Sequence, residues 1–505
     1  MRYITMIICG LICYLTPSNL VGLNKFQSTK RAFVEINAST TNSAEGCIHY
    51  FDYWSDTTNH SAFYLFFKDE KGHSIYISEL SLDSDRFTSS LAEDEKSVYI
   101  IPKRHQTDEF CIDFQITFRR DHNKVTPYYH EMVYIPKGEF SLGGARSFQD
   151  RNNINTSRGS LGAPLNAFFK TGQNTTFAGA FLVDSEAEIA IGNCEGCLSY
   201  LDAEITGVNT FSGDKKGKLS SAFPKGYNAF YQMRYELTER EYCAFLNSLP
   251  KEQSNKRIAP DAIFEGGARS AYGNFITIEN GVYRTSNPDQ ACSFLSWNDC
   301  LAYADWAGIR IMTELEFEKT CRGFAAPKFR EYAWGSNEME NGFLLDKRLF
   351  RCKGDNLCVD GNVHVNLLGF SNFKDVCGTR GSDPTYIGCR ELSAEMQYRG
   401  PLQTGIHSKG RDNLNRQNSG GGYFGTLDLS GNLREPVIPV GSAGSRKYTG
   451  SVGDGSLGKN GEADNQDWYY AEAKDLVFGY RGGCWAFHEN HARIADRFNV
   501  YRKGI

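Results

Sequence analysis

Three residues near the C-terminal end have the types and spacing that chemistry needs. Cys484, His488 and His491 fall within one short stretch, Cys484-Trp-Ala-Phe-His-Glu-Asn-His491. Thiolate and imidazole are zinc and copper ligands, so the three could form a metal centre or a reactive thiol with a nearby base. The competing reading is that the histidines are hydrogen-bonding residues of a loop. A second thiol pair, Cys194-Glu-Gly-Cys197, stands without a second Cys-x-x-Cys and without a βαβ context. It reads as a small loop bridge rather than a redox centre or half a zinc site.

Such residues need a frame, and the strongest helical signal is Phe294 to Gly323. Ser296 and Asp299 have capping-box spacing, as do Thr313 and Glu316, and Thr238 and Glu241 further upstream. In that arrangement hydroxyl and carboxylate satisfy backbone amides that a helix start leaves open. Trp297, Cys300, Leu301 and Ala304 form one apolar stripe, and Tyr303 and Trp306 a second, so this helix is expected to be covered on both faces. Gly308 is placed to end it in the left-handed conformation. Tyr242, Phe245, Leu246 and Leu249 give the upstream helix its buried stripe.

The 505 residues suit two domains, and 40% hydrophobic with 23% charged residues is ordinary for a soluble chain. A net charge of −5 offers no attraction to nucleic acid or an anionic membrane. Residues 1–22 carry one early basic residue and an apolar run from Ile4 to Leu15, too short to cross a bilayer and suited to an export signal. Export permits disulfides. Cys47 with Cys111, Cys352 with Cys358, and Cys377 with Cys389 are the candidate pairings, and a lipid anchor at Cys9 or Cys13 is not favoured.

From residue 31 to 130 seven β-branched or aromatic runs alternate with polar turns, the pattern of a β-sandwich. Nothing in it suggests catalysis, and spacing or docking is its expected role. Two long segments read as loop insertions: 145–220, Gly-, Asn- and Ser-rich and partly strand around Ala180 to Ile191, and 341–422, Cys- and Gly-rich.

Several blocks resemble the formylglycine-generating-enzyme-like (sulfatase-modifying factor) family. They are Tyr134-Ile-Pro-Lys-Gly-Glu-Phe-Ser-Leu-Gly-Gly144, the strand from Ala222 to Thr238, Ser296 to Gly323, Tyr332-Ala-Trp-Gly335, Asp428-Leu-Ser-Gly-Asn-Leu-Arg-Glu435, Tyr480-Arg-Gly-Gly-Cys-Trp485 and Ala492-Arg-Ile-Ala-Asp-Arg497, all in family order. Met312 and Phe317 replace a usual proline and tryptophan, and Arg434 another tryptophan. The resemblance implies an α+β, C-type-lectin-like fold over 131–505, rich in irregular structure, and an arrangement of exported bacterial, Bacteroidota-type proteins.

The resemblance also bears on chemistry. Oxidising members bind copper(I) through two cysteines shortly after Arg-Gly-Gly-Ser. Here Phe487 and Ala492 stand near those positions and Cys484 on the serine, so copper is not expected. The family's Gly-Asn-x-x-Glu segment supplies hard oxygens to calcium, which places Asn432 and Glu435 as candidate ligands, or as residues that bond loop backbone. Arg310, Arg481 and Arg497 are expected to pair with Glu314, Glu316 or Asp496 rather than bind anions. The reading is of an exported, non-catalytic binding or structural protein of the cell envelope or surface. Its ligand face would be Trp485, Phe487, His488, Glu489 and His491, aromatics inward and polar groups outward. The partner would be a protein or glycan, with homo- or hetero-oligomers admitted and no transmembrane segment in the mature chain. The alternative is an oxidoreductase-type enzyme with a divergent Cys/His centre in the same groove.

Overall fold

The computed structural model describes residues 33–38, 42–50, 61–103, 110–144, 167–173, 178–200, 213–257, 263–264, 267–268, 273–337, 401–405, 408, 415–468, 478–484, 489–497 and 500. The expected export signal, cysteines 352, 358, 377 and 389, and Trp485 to His488 lie outside them.

Eight strands open the described chain: β1 (Phe33–Ala38), β2 (Ser43–Tyr50), β3 (Ser61–Lys68), β4 (Ile77–Leu82), β5 (Phe87–Leu91), β6 (Ser97–Pro102), β7 (Phe110–Phe118) and β8 (Thr126–Ile135). They form two antiparallel sheets. One has the order β1-β2-β7-β4; the other places β8-β3-β6-β5 beside a fifth strand, Phe230–Met233, from much later in the chain. Side chains alternate across a strand, so each strand of a two-sided sheet must satisfy two surroundings. On β3, Phe63, Leu65 and Phe67 pack with Ala44, Ile48, Phe114 and Ile116 of the facing sheet. Its other residues, Ala62, Tyr64 and Phe66, pack with Tyr242, Phe245, Tyr303 and Trp306. Every residue of β3 is accordingly buried.

The strand region is therefore more than a spacer. Its second sheet is the floor of the helical core, and the expected boundary at 130/131 falls inside β8. The strand β5 has no counterpart among the seven expected runs. It is an edge strand in which only Phe87 is buried, so its polar sequence carries no alternation to find. Cys47 on β2 is disulfide-bonded, and the β2–β7 register sets Cys47 opposite Asp113 and Cys111 opposite His49.

The three longest helices among the described residues follow: α1 (Glu239–Ser248), α2 (Trp297–Ala307) and α3 (Glu314–Arg322), with N-caps Thr238, Ser296 and Thr313. All three capping boxes form in both directions. Gly308 ends α2 with φ 69° and ψ 31°, the left-handed conformation anticipated there. The two stripes of α2 go to two cores. Trp297, Leu301 and Ala304 join Phe140, Leu142, Leu315 and Trp468, while Trp306 lies edge-on to Phe66, Tyr128 and Phe245 at ring distances of 5.2, 4.8 and 5.2 Å. Met312 and Phe317 are both buried with Leu429, Val437 and Ile494, so their replacements keep an apolar contact.

The insertion after residue 145 holds more regular structure than its composition suggests. Phe168–Lys170, Ile189–Ile191, Leu198–Tyr200 and Gly217–Leu219 form a four-stranded sheet, and Phe181–Val183 pairs with Phe140–Leu142. Cys194 and Cys197 form the disulfide of the turn leading into this sheet.

Candidate functional site

The strand Gly479–Arg481 pairs antiparallel with Glu435–Val437, with Glu435 opposite Arg481. The two motif segments with candidate chemistry, 428–435 and 480–492, are thereby side by side. The Gly431 amide donates to the Gly482 carbonyl at 2.8 Å. Gly482 has φ 78°, and a Cβ there would lie 2.6 Å from the Leu429 carbonyl oxygen, so this close approach requires glycine.

Buried ion pairs hold this pair of strands to α3. Glu314 accepts from Arg481 Nη1 at 2.9 Å, from Arg497 Nε and Nη2 at 2.7 and 2.8 Å, and from the Val440 amide at 2.8 Å. Glu318 accepts from Arg481 Nη2 at 2.7 Å and from the Gly143 amide at 2.7 Å. Burial alone would raise the Glu314 carboxyl, but the Arg497 and Arg481 guanidiniums reverse this and hold it below the usual range. Arg310 pairs with Glu316 at 2.5 and 2.8 Å. Arg310, Arg481 and Arg497 thus pair with Glu314 and Glu316, as expected, and Asp496 has His491 beside it.

In the 480–492 segment, Cys484 is buried and not disulfide-bonded. His491 Nδ1 lies 3.3 Å from the buried Asp496 carboxylate. Glu489–Ala492 is one turn of 3-10 helix, and Ala492 is fully buried beside the backbone of Gly483. Trp485, Phe487 and His488 lie outside the described residues, so only His491 of the two histidines can be placed, and it faces Asp496 rather than standing free.

Around Asn432 the arrangement differs from the expected ligand set. Asn432 adopts φ 56°, its Oδ1 accepts from the Leu402 amide at 2.7 Å, and its Nδ2 donates to Glu236. Glu236 also accepts from the Leu433 amide at 2.7 Å. Asp428 accepts from the Gly405 amide at 2.5 Å. The Asn432 carboxamide thus braces loop backbone, the alternative role considered for it. Burial raises Glu435 to about 8, and the neighbouring Asp428 charge adds to this. Burial, then Asp428 and Glu435, push Glu236 well above the carboxylate range. Glu236 and Asp428 lie in motif blocks quoted above, Arg234-Tyr-Glu-Leu-Thr238 and Asp428 to Glu435, but only the fold brings them together.

Residues 209–348 match the Sulfatase-modifying factor enzyme 1-like domain. The chain is 28% identical over 135 residues to a formylglycine-generating enzyme of Bos taurus, covering 23% of this chain and 36% of that protein. It is 38% identical over 93 residues to one of Streptomyces coelicolor, covering 17% of this chain and 29% of that protein. The chain thus spans about a third of the length of the curated relatives it matches, and it carries a formylglycine-generating-enzyme-like domain. Among the described residues no helix is long and apolar enough to cross a membrane.

Proposed function

We propose that this chain is an exported, non-catalytic recognition or structural protein of the cell envelope or surface. Its formylglycine-enzyme-like domain is the scaffold, and Trp485, Phe487, His488, Glu489 and His491 contribute the contact face for a protein or glycan. The observation that carries the reading is the residue at the second copper-thiolate position implied by the family motifs. It is Ala492, fully buried against the Gly483 backbone, where no thiol is available. With Phe487 near the other position, Cys484 is the single cysteine of the stretch 480–497, and one thiolate does not make a two-thiolate copper(I) site. The residues do not fit copper, and no oxidation step is assigned to them. Loading the purified protein with copper(I) and measuring bound metal tests this. Less than stoichiometric copper is expected, and one tightly held copper per chain would overturn the reading.

Calcium fits a structural role in the same domain. Asn432 and Glu435 would hold it, with Asp428 and Glu236 as neighbouring carboxylates whose charge a cation would offset. A cation there would hold the 428–435 loop in place.

One observation favours the enzymatic alternative. His491 is held through Nδ1 by a buried carboxylate, the way a general base is fixed in one tautomer, and Cys484 lies nearby in the chain. Alkylation of Cys484 as a function of pH separates the two. A buried structural thiol reacts only as the protein opens, whereas an activated thiolate reacts fast near neutral pH.

A further inference from the structure

Where the strand sheet meets α2, the buried surface contains a lysine. Lys68, the last residue of β3, is 1% exposed. Its ammonium group donates to the Gly455 carbonyl at 2.5 Å and to Ser74 Oγ at 2.9 Å. It lies 5.3 Å from the ring centre of Trp306 and 5.8 Å from that of Phe66. On the other side, the fully buried Asp305 of α2 accepts from the Asp454 amide at 3.0 Å and the Asp464 amide at 3.1 Å. Carboxylate oxygens of Asp305, Asp454 and Asp464 lie within 4.8 Å of one another. The loop 453–455 is therefore clamped between α2 and β3, one jaw a buried acid and the other a buried base. Tyr64 closes the same seam by donating to the Ala307 and Gly308 carbonyls at 2.8 and 3.1 Å.

We propose that Lys68 and Asp305 form a proton-operated clasp between the strand sheet and α2, closed in mild acid and in mild base and slackest near neutrality. A buried charge lacking full compensation destabilises the state that buries it. Lys68 is faced by Asp305, Asp454 and Asp69 as counter-charges and by Lys96 as a like charge; Asp305 is faced by Asp454 and Asp464, and Asp464 in turn by Glu462. His73 pairs with Asp69 at the exposed rim. Tyr64 stays protonated, since burial raises it far above its ordinary value.

The signs follow from linkage. Burial raises Asp305 to about 7, despite the two amides it accepts. Between the ordinary carboxylate range and 7 the closed clasp holds a proton that the open one has released, so closure weakens as pH rises. Burial lowers Lys68 to about 7. Between 7 and the ordinary lysine range the open clasp holds a proton that the closed one lacks, so closure strengthens as pH rises. The two windows meet near pH 7, which places the minimum there.

Hydrogen exchange of the Asp454 and Gly455 amides in the full chain, corrected for intrinsic rates, reads the clasp directly. Their protection should fall at least about tenfold from pH 5 to pH 7, the effect of one unit of pKa difference, and recover by pH 9. Lys68→Met should abolish the recovery above pH 7, and Asp305→Asn the fall below it. Protection that changes in one direction only across pH 5–9 in the native protein would overturn the proposal, whether or not the variants fold. So would an unchanged minimum in either variant.

Discussion

Glu314 and Arg481 show how much of this molecule rests on single buried charges. Each is fully buried, and each is compensated by several partners rather than one. Replacing a buried pair by apolar groups can be neutral, but removing one member leaves the other charged and unsolvated. Arg481→Met is expected to cost about 3–5 kcal/mol, measured by urea denaturation against wild type. In the acidic cluster burial and the Asp428 charge instead raise Glu435 and Glu236. Calcium at a hundred times its dissociation constant would add about 2.7 kcal/mol to stability. Chelation should therefore lower the melting temperature of wild type and leave Glu435→Ala indifferent; a wild type unmoved by chelator would contradict the calcium site. At this scale the sequence was a partial guide. The partners of Arg310, Arg481 and Arg497 follow from the demand that buried irregular backbone makes for donors. The role of Asn432 does not, because a left-handed loop residue with a carboxamide can as well brace backbone as bind a cation.

At the scale of the element, α2 decides the architecture. Its mixed apolar pattern puts tryptophans on two sides, and the fold answers with two separate cores, one containing Trp297 and the other Trp306. Trp306→Ala removes a side chain that is 2% exposed and in edge contact with three other rings. It should cost about 3–5 kcal/mol by thermal or chemical denaturation, and an unchanged midpoint would mean that the helix faces elsewhere. The helices were legible because capping boxes and 3.6-residue stripes are local signals. The strand around Ala180 to Ile191 was legible; the edge strand β5 and the rest of the four-stranded sheet were not, because their short strands form by pairing with distant partners and carry little pattern of their own.

At the scale of the molecule, β3 joins two bodies by burying both its faces, and Phe230–Met233 extends the first body's sheet from within the second. A chain beginning at 131 would lose β3, β6 and part of β8, exposing Tyr303, Trp306 and Phe245 to water. Such a truncation is expected to aggregate or unfold rather than yield a folded domain, as read by circular dichroism and gel filtration. The motif blocks made the formylglycine-generating-enzyme-like region legible, but not the sheet that β8 and Phe230–Met233 share. The central claim is that this scaffold recognises without oxidising. It is tested most directly by incubating the full chain, with copper(I) and oxygen, with a sulfatase-derived peptide and measuring formylglycine by mass spectrometry. No conversion above a protein-free control is predicted; conversion lost on Cys484→Ser would contradict the account.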